Sequence, residues 1–172
     1  MAEDKPKLAV VGAGWWSQGW HLPHISRHPH ATLAAIVEPS THVRSSLNPD
    51  VLQRQELGEL YSAQTFATVD ELLSSGIKLD GVVVGASHAA HFDVGLKAIR
   101  AGLHVFMEKP MTTCPHEARA LVRQARKGKH KDVVCARREE SQGPVHGTRL
   151  LGIVKRPRVV VDADEEGQPP MV

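Results

Sequence analysis

The sequence is short of aromatic side chains. Three Trp, three Phe and one Tyr are all it holds in 172 residues. Any core is therefore aliphatic, built from Val, Leu, Ile and Ala. Cysteine is scarce as well. Cys114 and Cys135 are the only two, too few and too far apart for a disulfide framework or a thiolate metal site. Charge is nearly balanced, at a formal +2, which gives no reason to expect a nucleic-acid partner. No apolar run approaches the ~20 residues of a membrane-spanning helix, so no membrane partner is expected. Met1 to Lys7 is polar and lacks the apolar centre of a signal peptide. A cytoplasmic, reducing setting is the expectation. What remains is a chain with 41% hydrophobic residues, enough for one domain with a real core.

The most informative stretch lies near the start. Leu8 to Val11 is a short apolar run, followed by Gly12-Ala13-Gly14-Trp15-Trp16-Ser17. The run reads as a strand buried on both faces. Gly12 and Gly14 let the backbone turn sharply, and a helix follows. Its first N–H groups and its electropositive end suit a pyrophosphate. The dinucleotide fingerprint asks for G-x-G-x-x-G or A. Ser17 takes the third position, and serine is small enough for close helix–strand packing.

Strand and helix signals then alternate. Ser17 to Arg27 reads as a first helix carrying Pro23, which ends or kinks a helix beyond its first turn. Thr32 to Val37 reads as a second buried strand. Glu38 stands at its C-terminal end, where a carboxylate accepts hydrogen bonds from an adenosine ribose. Pro39 to Ala63 reads as helical with a break at Asn48-Pro49. Gln64 to Ala67 is a short third strand, and Thr68-Val69-Asp70-Glu71 a capping box that opens a short helix. Asp80 to Gly85 holds the most apolar strand. Ser87 to Ala101 is an amphipathic helix with Phe92, Leu96 and Ile99 on one side, stopped by Gly102. His104 to Met107, a helix from Pro115 to Lys127, and a strand over Asp132 to Cys135 complete the set. The alternation predicts α/β architecture: a doubly wound parallel (Rossmann) sheet in three layers, with strand order 3-2-1-4-5-6. The glycine loop and Lys109 are expected at one edge of it.

At Glu108-Lys109-Pro110 a resemblance emerges. The stretch GVVVGASHAAHFDVGLKAIRAGLHVFMEKPM, Gly81 to Met111, resembles the second half of the nucleotide domain of the glucose–fructose oxidoreductase / inositol dehydrogenase / MocA family. The first half agrees through AVVGAGWW, His21 and Glu38. The resemblance covers roughly Lys7 to Cys135. It implies NAD as cofactor, with NADP an alternative, and hydride transfer between nicotinamide and a small hydroxylated substrate such as a sugar or polyol. By resemblance, Gly12 and Gly14 approach the pyrophosphate and Glu38 holds the adenosine ribose. Glu108 and Lys109 lie by the nicotinamide and substrate, with Lys109 as the catalytic group, and Pro110 holds the turn, often in the cis form. His91 matches the family's helix-start histidine. Ser87 and His88 stand where the family usually has Pro-Asn. Trp15 and Trp16, with Trp20, either cover the adenine or pad the helix. His21, His24 and His28 share one helical face, but no acid or cysteine joins them at a ligand-like spacing, so no metal site is expected.

From Ala136 onward the periodicity fails. Residues 1–135 read as the dinucleotide domain and 136–172 as an irregular tail, a truncated or altered-frame continuation, or else a small strand pair. The family's substrate domain, with its Asp-x-x-x-His pair, has no counterpart here. The expectation is a catalytically incomplete chain, with weak cofactor binding, negligible turnover and self-association through bared apolar surface. The alternative is a non-catalytic dinucleotide-binding module or fragment.

Overall fold

A computed structural model describes residues 5–127 and 133–135. Four apolar runs form the sheet's central strands. These are β1 (Lys7–Val11), β2 (Thr32–Val37), β4 (Gly81–Val84) and β5 (His104–Met107), with β3 (Gln64–Phe66) and β6 (Val133–Cys135) at the edges. All pairings are parallel, and the order is β3-β2-β1-β4-β5-β6. Every residue of β4 and β5 is buried, as a sheet covered on both faces requires.

Side chains alternate between two apolar layers. On one face Leu8, Val10 and Ile36 pack with Leu22, Ile25 and Leu57. These come from α1 (Leu22–Arg27) and α2 (Arg54–Tyr61). On the other face Ala9, Val11, Val82 and Val84 pack with Leu72, Ala98, Ile99 and Leu121. They belong to α3 (Val69–Ser74), α4 (His91–Arg100) and α5 (Pro115–Lys127). The expected three layers and strand order are present.

Three local expectations need correction. The region 39–63 holds only one helix, α2. Its first part is a loop because short polar side chains take the backbone donors a helix would need. Ser40 Oγ accepts from His42 N, Ser45 Oγ from Leu47 N and Asn48 N, and Asn48 Oδ1 from Asp50 N. The first helix is not uniform either. Ser17–His21 forms a π-helical turn in which Leu22 N reaches back to Ser17 O. Pro23 then falls in the first turn of α1, where its missing N–H costs nothing and its ring does not meet a tight α-turn. The helix expected from Ser87 opens as a 3₁₀ turn over His88–Ala90, and α4 starts only at His91. Phe92, Leu96 and Ile99 share one apolar layer as expected, and Gly95 lets Met107 and Leu121 approach the helix backbone; a Cβ there would lie 2.5 Å from Met107 Cε.

Among the described residues no helix is long and apolar enough to cross a membrane. The expected tail, residues 136–172, lies outside the described residues.

Candidate functional site

Four strands end on the same side of the sheet, and the loops after them are stitched into one rim. Gly12 N donates to Val37 O, Gly85 N to Val11 O, Glu108 N to Val84 O and Glu38 N to Phe66 O, at 2.8–3.0 Å. The rim encloses a cleft of about 420 Å³. Gly12, Gly14, Trp15 and Trp16 enter it after β1, and Glu38 after β2. Gly85, Ala86, Ser87, His88 and His91 enter after β4, and Glu108 and Lys109 after β5. The crevice lies where the strand order reverses, between β1 and β4, the usual ligand position in such sheets. The glycine loop and Lys109 share this edge, as the strand pattern predicted.

The two glycines do different work. Gly12 has φ +89°, and a Cβ on it would lie 2.4 Å from Ala86 Cα. Its glycine is demanded by the protein. Gly14 has no positive φ, and a Cβ on it would meet no protein atom within 4 Å. Nothing in the protein requires glycine there, and the open space faces the cleft. A dinucleotide pyrophosphate needs that kind of vacant approach to backbone N–H groups, so the residues present fit the group.

Glu38 is buried, at 7% exposure. Its Oε2 accepts from Ala13 N at 2.8 Å and its Oε1 from Ser40 N at 2.9 Å. Each oxygen keeps a second lone pair for a ribose hydroxyl. Three residues outside the predicted set brace this end. Gln18 bonds Ala13 O and both backbone groups of Leu52. Gln53 bonds both backbone groups of Val43. Arg54 Nη1 donates to Glu38 O at 2.9 Å. No spacing rule singles them out, because their partners are backbone groups of a loop that a periodicity search reads as helix.

At the other end the Glu108-Lys109 pair splits. Lys109 is exposed on the cleft. Glu108 is 5% exposed and turned inward. Its Oε1 accepts from Trp16 Nε1 at 3.0 Å and lies 2.9 Å from His21 Nε2; its Oε2 accepts from Lys109 N at 3.2 Å. Burial alone would raise this carboxyl's pKa. The hydrogen bonds from His21, Trp16 and Lys109 N, with the coulombic pull of His21, overcome it and hold the pKa at about 2. The Lys109–Pro110 bond is cis, and Pro110 is exposed and does not itself line the cleft. His91 is fully buried, with Nδ1 2.9 Å from Pro110 O and Nε2 3.1 Å from Ala86 O. It ties the β4 and β5 loops together. Ser87 and His88 are exposed.

Of the tryptophans, Trp16 stacks on Trp20 with ring centroids 5.9 Å apart, and Trp15 meets Trp16 edge-on at 5.5 Å. Trp16 thus packs on Trp20 as well as lining the cleft, and Trp15, 40% exposed, lines it beside Trp16. His24 Nδ1 lies 2.6 Å from Trp20 O, and His28 Nδ1 accepts from His30 N.

Fold and cleft together define a dinucleotide-binding domain of Rossmann type. Residues 7–135 match the family described as an oxidoreductase family with an NAD-binding Rossmann fold, the glucose–fructose oxidoreductase / inositol dehydrogenase / MocA group, and the chain belongs to that family. It is 28% identical over 127 residues to D-glucoside 3-dehydrogenase of Escherichia coli, covering 74% of this chain and 33% of the relative. A putative dehydrogenase from Bordetella bronchiseptica shares 27% identity and a TM-score of 0.63, over 76% of this chain and 32% of the other. The WlbA dehydrogenase from Chromobacterium violaceum, solved with NADH and UDP-GlcNAcA, shares the fold at TM-score 0.63 and 24% identity, over 78% and 36% of the two chains. The chain thus spans about a third of the length of the relatives it matches.

Proposed function

We propose that this chain binds a nicotinamide dinucleotide across the β1–β4 crevice, NAD in preference to NADP, and serves hydride transfer to or from a hydroxyl-bearing carbon of a sugar or polyol. The observation that carries the reading is Gly14: a glycine the protein does not need, opening onto the cleft that also holds Glu38 and Lys109. When bound, the nicotinamide supplies the hydride acceptor or donor. Gly14 leaves the pyrophosphate room at the backbone of the loop that Gly12 turns, and Glu38 takes the adenosine ribose hydroxyls. Lys109 is the candidate catalytic group. An ammonium at the cleft mouth stabilises negative charge growing on a substrate oxygen. Trp15, Ser87, His88 and His91 complete the rim that would hold the cofactor, and Pro110 fixes the loop behind it through its carbonyl, 2.9 Å from His91 Nδ1.

The sugar or polyol substrate is favoured by the names of two relatives, D-glucoside 3-dehydrogenase and an inositol 2-dehydrogenase. The domain boundary near residue 135, a cytoplasmic setting and self-association belong to the same reading. Support for the boundary is the end of the family match at residue 135. For self-association it is the exposure of Trp15, Leu47 and Leu60. Calorimetric titration with NAD is the test, on the wild-type chain and Gly14→Val. The variant should lose NAD affinity by about tenfold or more with little change in its unfolding midpoint, because a Cβ at this position fills space a ligand needs and meets no protein atom within 4 Å. Equal affinities, or no NAD binding by the wild type, would sink the reading.

A further inference from the structure

Glu108 is a puzzle as a ligand group. Its carboxylate is nearly inaccessible, and each oxygen already faces a protein donor. The donors come from two separate pieces of chain. Trp16 and His21 belong to the segment that follows the glycine loop, 92 residues before Glu108 in the case of Trp16. Lys109 N belongs to the β5 loop itself. Both donor side chains reach the same oxygen because of the π-helical turn at Ser17–His21. That turn carries the buried His21 inward, where its ring also meets Phe106 of β5 at a centroid distance of 6.0 Å. Trp16 is held in turn by its stack on Trp20.

We propose that Glu108 is a positioning residue: its carboxylate latches the helix that leaves the glycine loop to the loop bearing Lys109, and so sets the separation between the pyrophosphate end of the cleft and Lys109. This rests on the dinucleotide reading above. The latch serves a ligand that spans both ends, and it is indifferent to one that occupies only the adenosine and pyrophosphate end.

The experiment therefore compares NADH, which reaches both ends, with ADP-ribose, which lacks the nicotinamide. Both are titrated into the full chain, into Glu108→Gln and into Trp16→Phe, with folding checked by circular dichroism. Loss of a hydrogen bond to a charged acceptor should weaken NADH binding by about tenfold and leave ADP-ribose within about twofold. An equal loss for both ligands, or no loss for either, overturns the proposal. If Glu108→Gln does not fold, Trp16→Phe decides by the same comparison. A second readout needs no ligand. The indole N–H proton of Trp16, identified in an ¹⁵N-tryptophan spectrum by its absence from Trp16→Phe, should be deshielded by the carboxylate. It should move upfield in Glu108→Gln, or in His21→Phe should the former be unfolded. An unmoved resonance overturns the latch. A wild-type chain that binds neither ligand refutes the dinucleotide reading, while the indole resonance still decides the latch, so the two fail separately.

Discussion

Lowering the pH should discharge Glu108 and destabilise the fold by an amount the site geometry sets. The carboxyl is held at about 2, against an ordinary 4.5. A group with a depressed folded-state pKa stabilises the native state above its unfolded pKa, and that stabilisation is lost as pH falls through the folded value. The full contribution at neutral pH is about 3 kcal/mol, at 1.36 kcal/mol per pKa unit, and Glu108 is buried enough for the figure not to be screened away. The linkage relation leaves roughly half of it near pH 3 and almost none near pH 1. Other carboxylates also titrate there, so the wild type alone cannot isolate this one. Urea unfolding of wild type and Glu108→Gln, at about pH 7 and about pH 3, does so. Glutamine keeps one acceptor for Trp16 and His21 but cannot ionise. The stability gap between the two proteins should narrow by about 2 kcal/mol on going from the higher pH to the lower. A gap that stays constant would show that the donors around Glu108 do not hold an ionised carboxylate, and the reasoning would be refuted.

Three further outcomes follow from the same cleft. Glu38→Ala should weaken NAD binding by about tenfold and narrow the preference for NAD over NADP, since a carboxylate accepts from a 2′-hydroxyl and repels a 2′-phosphate; tighter NADP than NAD binding in the wild type would contradict it. Gly85→Ala should cost about 1–3 kcal/mol by overpacking, because its Cβ would lie 2.4 Å from Ser17 Oγ, and Ser17→Gly in the same chain should recover most of that, which a double-mutant cycle by urea unfolding would measure. Lys109→Ala should leave NAD affinity within about twofold and lower NADH production over a sugar and polyol panel by about 100-fold, since the ammonium faces the cleft where negative charge would grow on a substrate oxygen; unchanged turnover would remove Lys109 from the reaction.

Much of the architecture was legible because it depends on long-range averages. A strand buried on both faces must be apolar throughout, so Val82-Val83-Val84 and Val105-Phe106-Met107 announce themselves. Parallel strands separated by helices admit few topologies. The capping box at Thr68 was equally plain, since Thr68 Oγ1 accepts from Glu71 N; Glu71 reaches past the cap to Ala67 N. Legibility failed where side chains bond to backbone. The loop over 39–53 carries enough apolar residues to mimic a helix, yet Ser40, Ser45 and Asn48 turn its amides aside, and Gln18, Gln53 and Arg54 then fasten it. Those three are invisible to any rule that looks for ligand-type residues.

The glycine fingerprint shows the same division within six residues. A motif treats its three small positions as one signal for one ligand. In the folded chain the first position answers to Ala86, whose backbone passes where a Cβ would be. The third answers to Gly85: Ser17 fits because the residue opposite has no side chain, and its buried Oγ finds no hydrogen-bond partner among the described residues. Only Gly14 is left without an internal reason. A departure at the third position therefore says nothing against cofactor binding, because its partner sits in another loop. A substitution at the second would say nearly everything. Ser17→Ala should then be neutral or stabilising by up to about 1 kcal/mol, since it removes an unsatisfied buried hydroxyl, and it should leave NAD affinity where it was. A large loss of affinity in Ser17→Ala, with stability intact, would mean that the hydroxyl serves the ligand and that this separation of roles is mistaken.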